Sequence, residues 1–160
     1  MIIVLMGVTG AGKTTVGQAL AQGLHWRFAD GDDYHSAANI AKMHAGIPLT
    51  DEDRAPWLQS LHDVIVAWLA DGENVVLACS ALKASYRYRL LAGPEVKLVY
   101  LRATMDLIAS RLALRRGHYM NPHLLSSQFE TLEEPKDALT VDASLSTPQI
   151  VSEIRGALQL

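Results

Sequence analysis

Apolar residues fall along this chain in two alternating patterns. The first is a short unbroken run. Ile2-Ile3-Val4-Leu5-Met6 is rich in β-branched side chains and stops at Gly7, which predicts a buried parallel strand. Trp26 to Ala29, Val75 to Ala78 and Leu98 to Leu101 repeat the theme, and Leu139 with Val141 suggests a fifth strand. The second pattern is helical spacing. Val16, Ala19, Leu20 and Leu24 mark one face of a helix over 13–24, and residues 36–45 read as a helix ended by Gly46 and Pro48. Trp57, Leu58, Leu61, Val64, Ile65, Trp68 and Leu69 then recur at helical intervals. Asp53 is the expected N-cap of that helix, Pro56 is expected in its first turn, and Asp71-Gly72 is its stop. Helices are predicted again at about 105–115 and 123–131, and Pro148 opens the last one. Strands alternating with helices predict an α/β fold: a parallel sheet of about five strands between two helical layers. In such sheets ligands bind at the carboxyl ends of the strands. Every residue singled out below follows a predicted strand end or lies in a later loop.

Composition narrows the partners. A chain of 160 residues fits one domain over 1–160, and 49% hydrophobic with 19% charged residues is ordinary globular usage. Fourteen Lys and Arg against seventeen Asp and Glu leave a net charge of −3, so no nucleic-acid partner is expected. A local cationic pocket for a small anion stays open. With Cys79 as the one cysteine, no intrachain disulfide and no Cys-based zinc site can form, and a reducing cytoplasm is the expected compartment. The run at 2–6 is too short for a signal peptide or a membrane span, so no membrane partner is expected.

The first strand runs into Gly7-Val8-Thr9-Gly10-Ala11-Gly12-Lys13-Thr14, which fits G-x-x-x-x-G-K-[ST]. Glycines let the chain curl so that successive backbone N–H groups face one cavity, and the following helix adds its positive dipole end. Lys13 can reach the β- and γ-phosphates, and Thr14 offers a hydroxyl to Mg²⁺. A match by chance in a chain this long has roughly one chance in two hundred, and here the motif also sits between a strand and a helix. A bound nucleotide is therefore expected. The D-x-x-G and N-K-x-D segments of common GTPases are absent. The third and fourth strands also lack the terminal Asp of a motor or transporter ATPase.

The acids stand instead after the second strand, at Asp30, Asp32 and Asp33. A carboxylate there could hold a Mg²⁺-bound water or accept the proton of an attacking hydroxyl. A bare D-G-D-D run is also what a solvated turn looks like. Alternation puts Asp30 and Asp32 on one side. Arg111 and Arg115 are four apart on a helix face, and Gly117-His118-Tyr119-Met120-Asn121-Pro122 breaks that helix. This predicts a small lid at about 115–125 that brings arginines over the phosphates, although a basic helix C-terminus is also favoured by the dipole alone. Arg54 opposes the dipole at a helix start, which suggests a further role or pairing with Asp51, Glu52 and Asp53. Lys83, Tyr86 and Arg87 lie near a strand end, and His35 follows the acidic turn. Cys79 is expected as a small buried filler.

Taken together, these residues resemble the small P-loop gluconokinases nearly end to end. The resemblance rests on G-V-T-G-A-G-K-T at 7–14, D-G-D-D-Y-H at 30–35, N-I-A-K-M at 39–43 and G-I-P-L-T-D-E-D-R-A-P-W-L at 46–58. It continues through C-S-A-L-K at 79–83 with Tyr86-Arg87, G-H-Y at 117–119 and Q-F-E-T-L-E-E-P at 128–135. It implies a nucleoside-monophosphate-kinase-like fold, a homodimer, and ATP-dependent phosphorylation of D-gluconate at its 6-hydroxyl. It further implies that Gly7, Gly10, Ala11, Gly12, Lys13, Thr14 and Thr15 hold the ATP phosphates and Mg²⁺, with Asp30 supporting the metal's water shell or sharing the base role with Asp32. Asp32 would deprotonate the acceptor, Arg54 would grip the sugar acid, and His35, Lys83 and Arg87 would assist. Arg111 would lie against the adenine and Arg115 would reach the transferring phosphate. The competing readings are a shikimate or nucleotide kinase on the same scaffold, and a regulatory ATP-binding module without catalysis.

Overall fold

The computed structural model describes residues 1–114 and 122–160. Five strands, β1 (Ile2–Met6), β2 (Arg27–Asp30), β3 (Val75–Ala78), β4 (Val96–Arg102) and β5 (Leu139–Asp142), form one parallel sheet in the order β2-β3-β1-β4-β5. Around it lie α1 (Lys13–Leu24), α2 (Ala37–His44), α3 (Asp51–Ala70), α4 (Ala84–Leu90), α5 (Met105–Leu114), α6 (Pro122–Thr131) and α7 (Thr147–Leu158). A single 3₁₀ turn, Gly31–Tyr34, follows β2.

All five residues of β1 are fully buried, because helices cover both faces of the strand. Ile2, Val4 and Met6 pack with Trp57, Leu61 and Ile65 of α3 and with Tyr86 and Leu90 of α4. Ile3 and Leu5 pack on the other face with Val16 and Leu20 of α1, Ile108 of α5, and Ile150 and Ile154 of α7. Burying one such side chain contributes about 1.5–3 kcal/mol. The chain leaves β1 toward β2 on one side and passes from β3 to β4 on the other, so connections diverge at the carboxyl end of β1. That crevice is where open α/β sheets take ligands.

Several boundaries differ from those the sequence predicts, each for a local reason. α1 ends with His25 in the left-handed region (φ 57°), and Trp26 N–H donates to the Ala21 carbonyl at 2.9 Å. Trp26 thus closes the helix, and β2 starts one residue later than expected. The N-cap of α3 is Thr50, not Asp53. Asp53 N–H donates to Thr50 Oγ1 at 3.1 Å and Thr50 N–H donates to Asp53 Oδ2 at 3.0 Å, so Asp53 occupies the third position of a capping box. Pro56 consequently lies in the second turn, not the first. β4 is longer than expected and starts at Val96. The periodicity leaves α4 out altogether: it has only seven residues, and its A-S-Y-R-Y-R-L sequence has no aliphatic stripe.

Thr50→Ala is expected to cost about 1 kcal/mol of stability through the lost cap. Urea unfolding checks this, and an unmoved midpoint would show that the three acids of the first turn suffice.

Candidate active site

The phosphate loop needs its glycines at two points. Gly7 has φ 151°, and a Cβ there would stand 2.8 Å from the Leu101 carbonyl oxygen. Gly12, the N-cap of α1, has φ 99°. Lys13 folds back across the loop, and its Nζ donates to the carbonyls of Gly7 at 2.9 Å and Val8 at 3.0 Å. Burial lowers the pKa of this amine, opposed by the charges of Cys79, Asp32 and Asp30. The first N–H groups of α1, from Lys13 to Thr15, have no partner within the helix and open toward the cradle. Gly10 and Ala11 each offer a carbonyl to Arg111 Nη1, at 3.1 and 3.3 Å, and Arg111 Nη2 donates to the Ala143 carbonyl. Arg111 therefore joins the loop to α5 and to the turn after β5.

Asp30 and Asp32 come together by a different route from strand alternation. Asp30 ends β2 and caps the 3₁₀ turn, its Oδ1 accepting from Asp32 N–H at 3.0 Å. Its Oδ2 accepts from Thr14 Oγ1 at 3.5 Å, so the end of β2 meets the phosphate loop. Asp32 opens to solvent in the cleft, yet enough protein surrounds it to disfavour its charge. Desolvation first, then repulsion by Asp30 and Asp33, push its pKa up, with Lys13 pulling the other way. Thr14 and Asp30 are hard oxygen donors placed together, which fits Mg²⁺; that ion takes one or two protein oxygens and completes its shell with water and phosphate. Cys79 lies beneath the turn, and burial pushes its thiol up to about 12. It is the filler expected of it.

A cationic cluster gathers at the start of α3 and of α4. Arg54 Nη1 donates to the Leu49 carbonyl at 2.8 Å and to Tyr86 Oη at 3.4 Å, and it lies 3.9 Å from Asp51. Lys83 Nζ donates to both Asp51 oxygens at 3.1 Å, and Tyr86 Oη donates to Asp51 Oδ1 at 2.5 Å. These bonds hold the Asp51 carboxyl below the usual range. His35 stacks on Trp57 with centroids 4.2 Å apart, and Trp57 Nε1 donates to the Gly31 carbonyl at 2.7 Å. Asn39 is buried. Its Nδ2 donates to the Asp53 carbonyl at 2.8 Å and lies 3.3 Å from His35 Nδ1, so His35 Nδ1 accepts and Nε2 carries the proton. Burial and the nearby Arg54 charge lower the His35 pKa, which favours this neutral form.

The structure thus groups Lys13, Thr14, Asp30 and Asp32 on the phosphate side, and Arg54, Lys83 and His35 on the other. Arg87 is buried, with Nη1 donating to the carbonyls of Ala81 and Leu82 at 3.0 Å each, so at least part of its guanidinium braces the loop carrying Lys83. Arg115 and most of the expected lid lie outside the described residues, and α6 begins within the lid's expected range. Sequence reasoning missed two residues here: Asn39, which sets the histidine tautomer, and Gln128, whose side chain reaches Thr9 in the phosphate loop. It offered Asp51 as a partner of Arg54 but not of Lys83 and Tyr86. An Asn four residues after a His was the available signal for Asn39; Gln128 had none beyond its block. A cavity of about 630 Å³ lies elsewhere, at the ends of β4 and β5 and lined by Tyr100, Arg102, Phe129 and Glu134; it contains no phosphate-loop residue.

Asp30→Asn removes the like charge beside Asp32 and should move the Asp32 titration midpoint to lower pH. Carbon-detected NMR of the side-chain carboxyl reads it. An unmoved midpoint would leave desolvation and Asp33 as the causes.

Known proteins share this chain's fold and much of its sequence. A family model described as Shikimate kinase matches residues 9–158. The thermoresistant gluconokinase of Escherichia coli K12 is 46% identical over 88% of this chain and 83% of its own. The gluconokinase of Arabidopsis thaliana is 40% identical over 96% of this chain and 89% of its own. A crystal structure of a gluconokinase from Sinorhizobium meliloti superposes with a TM-score of 0.88 at 42% identity, covering 98% of this chain and 90% of that one. A shikimate kinase from Aquifex aeolicus, at 17% identity and TM-score 0.63, shares the fold. With relatives at 40% identity or more over most of their length clustered on one activity, and the shikimate kinase far below, the chain belongs to the gluconokinase family of P-loop kinases.

Proposed function

We propose that this chain transfers the γ-phosphoryl group of ATP to the 6-hydroxyl of D-gluconate, giving 6-phospho-D-gluconate and ADP. The observation that carries the reading is that two charged groups follow the carboxyl ends of the strands: Asp32 with the phosphate loop, and Arg54 and Lys83 joined through Asp51 with neutral His35 near Arg54. A phosphate donor and an anionic polyol need those two groups.

Gluconate enters with its carboxylate toward Arg54 and Lys83 and its hydroxyls toward the His35 Nε2–H and the acidic turn. Asp32 accepts the proton of the 6-hydroxyl as the new O–P bond forms and the bond to the ADP oxygen breaks. A carboxylate whose pKa is raised is the stronger base in its ionised form. Lys13 exchanges the Gly7 and Val8 carbonyls for phosphate oxygens, which is a small movement because the charge is already inside the cradle. Arg111 stands where the adenine side of the nucleotide passes, between the loop and the turn after β5. Thr14 and Asp30 would hold Mg²⁺, which supplies charge neutralisation on the phosphates when bound. Arg115 reaching the transferring phosphate, and a cytoplasmic homodimer, belong to the same reading and rest on the resemblance.

A coupled ADP-release assay with Mg²⁺-ATP should respond to D-gluconate and stay at background with shikimate, AMP or no acceptor. Release with shikimate instead would keep the phosphate side and overturn the acceptor side.

Asp32→Asn should lower kcat by roughly 10²–10⁴ while leaving ATP binding in place. The same change should raise the melting temperature at neutral pH. A carboxyl whose folded pKa is raised above its unfolded value favours folding only while protonated, and that contribution is lost as pH rises through the folded pKa. Unchanged kcat would assign the base elsewhere.

A further inference from the structure

The chain from Gln128 to Glu134 runs across the carboxyl edge of the sheet and touches three strand ends in succession. Gln128 Oε1 accepts from Thr9 N–H at 2.7 Å, and Gln128 Nε2 donates to Thr9 Oγ1 at 2.7 Å. Glu133 N–H donates to the Leu82 carbonyl at 2.8 Å, and Glu133 Oε2 accepts from Ala84 N–H at 3.3 Å, at the start of α4. Glu134 Oε1 accepts from Tyr100 Oη at 3.0 Å, near the end of β4. This segment is therefore bonded both to the loop that binds phosphate and to the loop that carries Lys83.

The first of these contacts has an unusual form. A primary amide has one acceptor oxygen and one donor nitrogen, and Thr9 presents a backbone donor and a hydroxyl that can accept. Both ends of the Gln128 amide are used on one residue, 119 positions away in sequence. Two parallel bonds fix the orientation of the Thr9 peptide as well as its position. That peptide leads directly into Gly10, whose φ of 85° lies in the left-handed region where rotation is otherwise easy. The next anchor, Arg111 on the Gly10 and Ala11 carbonyls, comes from α5. The loop tip is thus gripped on one side by α5 and on the other by α6.

We propose that Gln128 is a positioning residue for nucleotide binding: its amide clamps Thr9 and so aims the backbone N–H groups that follow it at the phosphates. Without the clamp, the Thr9–Gly10 segment samples other orientations, and ATP must spend binding free energy to restore the productive one. The proposal rests on the phosphate loop holding ATP and is independent of the acceptor's identity.

The test is a double-mutant cycle on Gln128→Ala and Thr9→Val, read by calorimetric binding of a non-hydrolysable Mg²⁺-ATP analogue without any acceptor. Loss of one neutral hydrogen bond corresponds to roughly 2- to 10-fold in an equilibrium constant. Gln128→Ala should weaken analogue binding by at least that factor, and Thr9→Val by about that factor. Adding Thr9→Val to Gln128→Ala should weaken binding no further. Thr9→Ser, which keeps the hydroxyl, should recover most of what Thr9→Val loses. In steady-state assays the ATP KM should rise more than the acceptor KM. Losses that multiply in the double variant, or an analogue affinity untouched by Gln128→Ala, would overturn the proposal, as would equal effects of Thr9→Ser and Thr9→Val. Because Thr9 is exposed, the Thr9→Val and Thr9→Ser pair decides the matter even if Gln128→Ala does not fold.

Discussion

Everything at the site depends on the fact that β1 is sealed on both faces. A strand with five fully buried apolar residues cannot bend, slide or expose a polar group without opening two cores at once. It therefore delivers Gly7 to one point at the edge of the sheet, and the loop must turn there within a few residues. The left-handed glycines follow from that requirement, and so does the burial of the Lys13 ammonium, which donates to the loop's own carbonyls. The pairing of β1 with β3 and β4 carries the same rigidity to the other site loops.

The electrostatics have a matching logic. Each charge in the cleft is held near an opposite charge or a dipole before any ligand arrives: Lys13 beside Asp30 and Asp32, and Arg54 and Lys83 around Asp51. Isolated charges in a crowded cleft would be costly to keep there. Paired ones can be maintained and then exchanged, one partner at a time, for the groups of a substrate. Sequence reasoning offered Asp51 with Glu52 and Asp53 as partners of Arg54, but could not single it out as the hub that also holds Lys83 and Tyr86, because three acids in a first helical turn look like plain dipole compensation.

What the sequence disclosed and what it withheld divide along physical lines. The strands and the phosphate loop were legible because their signals are local: a buried β-branched run ending in glycine, and a motif whose backbone geometry follows from its composition. The α3 cap was misread by three residues because Thr50 and Asp53 are each good caps, and only the reciprocal bonds decide which of them starts the helix. α4 was illegible because its stripe is made of Tyr86 and Leu90 rather than aliphatic repeats. Asn39 and Gln128 act through partners 14 and 119 residues away, a separation no periodicity reports. The residue types proposed for the site could be read from the sequence, while the bonds that orient them come only from the folded chain.

Cys79 carries one more consequence. It packs beneath Gly31, where an added Cβ would stand 3.3 Å from the Cys79 Cβ, so the acidic turn forms its roof. Burial pushes the thiol pKa up to about 12, so the thiolate is scarcely formed at neutral pH. Peroxide, nitrosating agents and electrophilic drugs all need that thiolate. The enzyme's one sulfhydryl therefore gives them no purchase at a position directly under its proposed base.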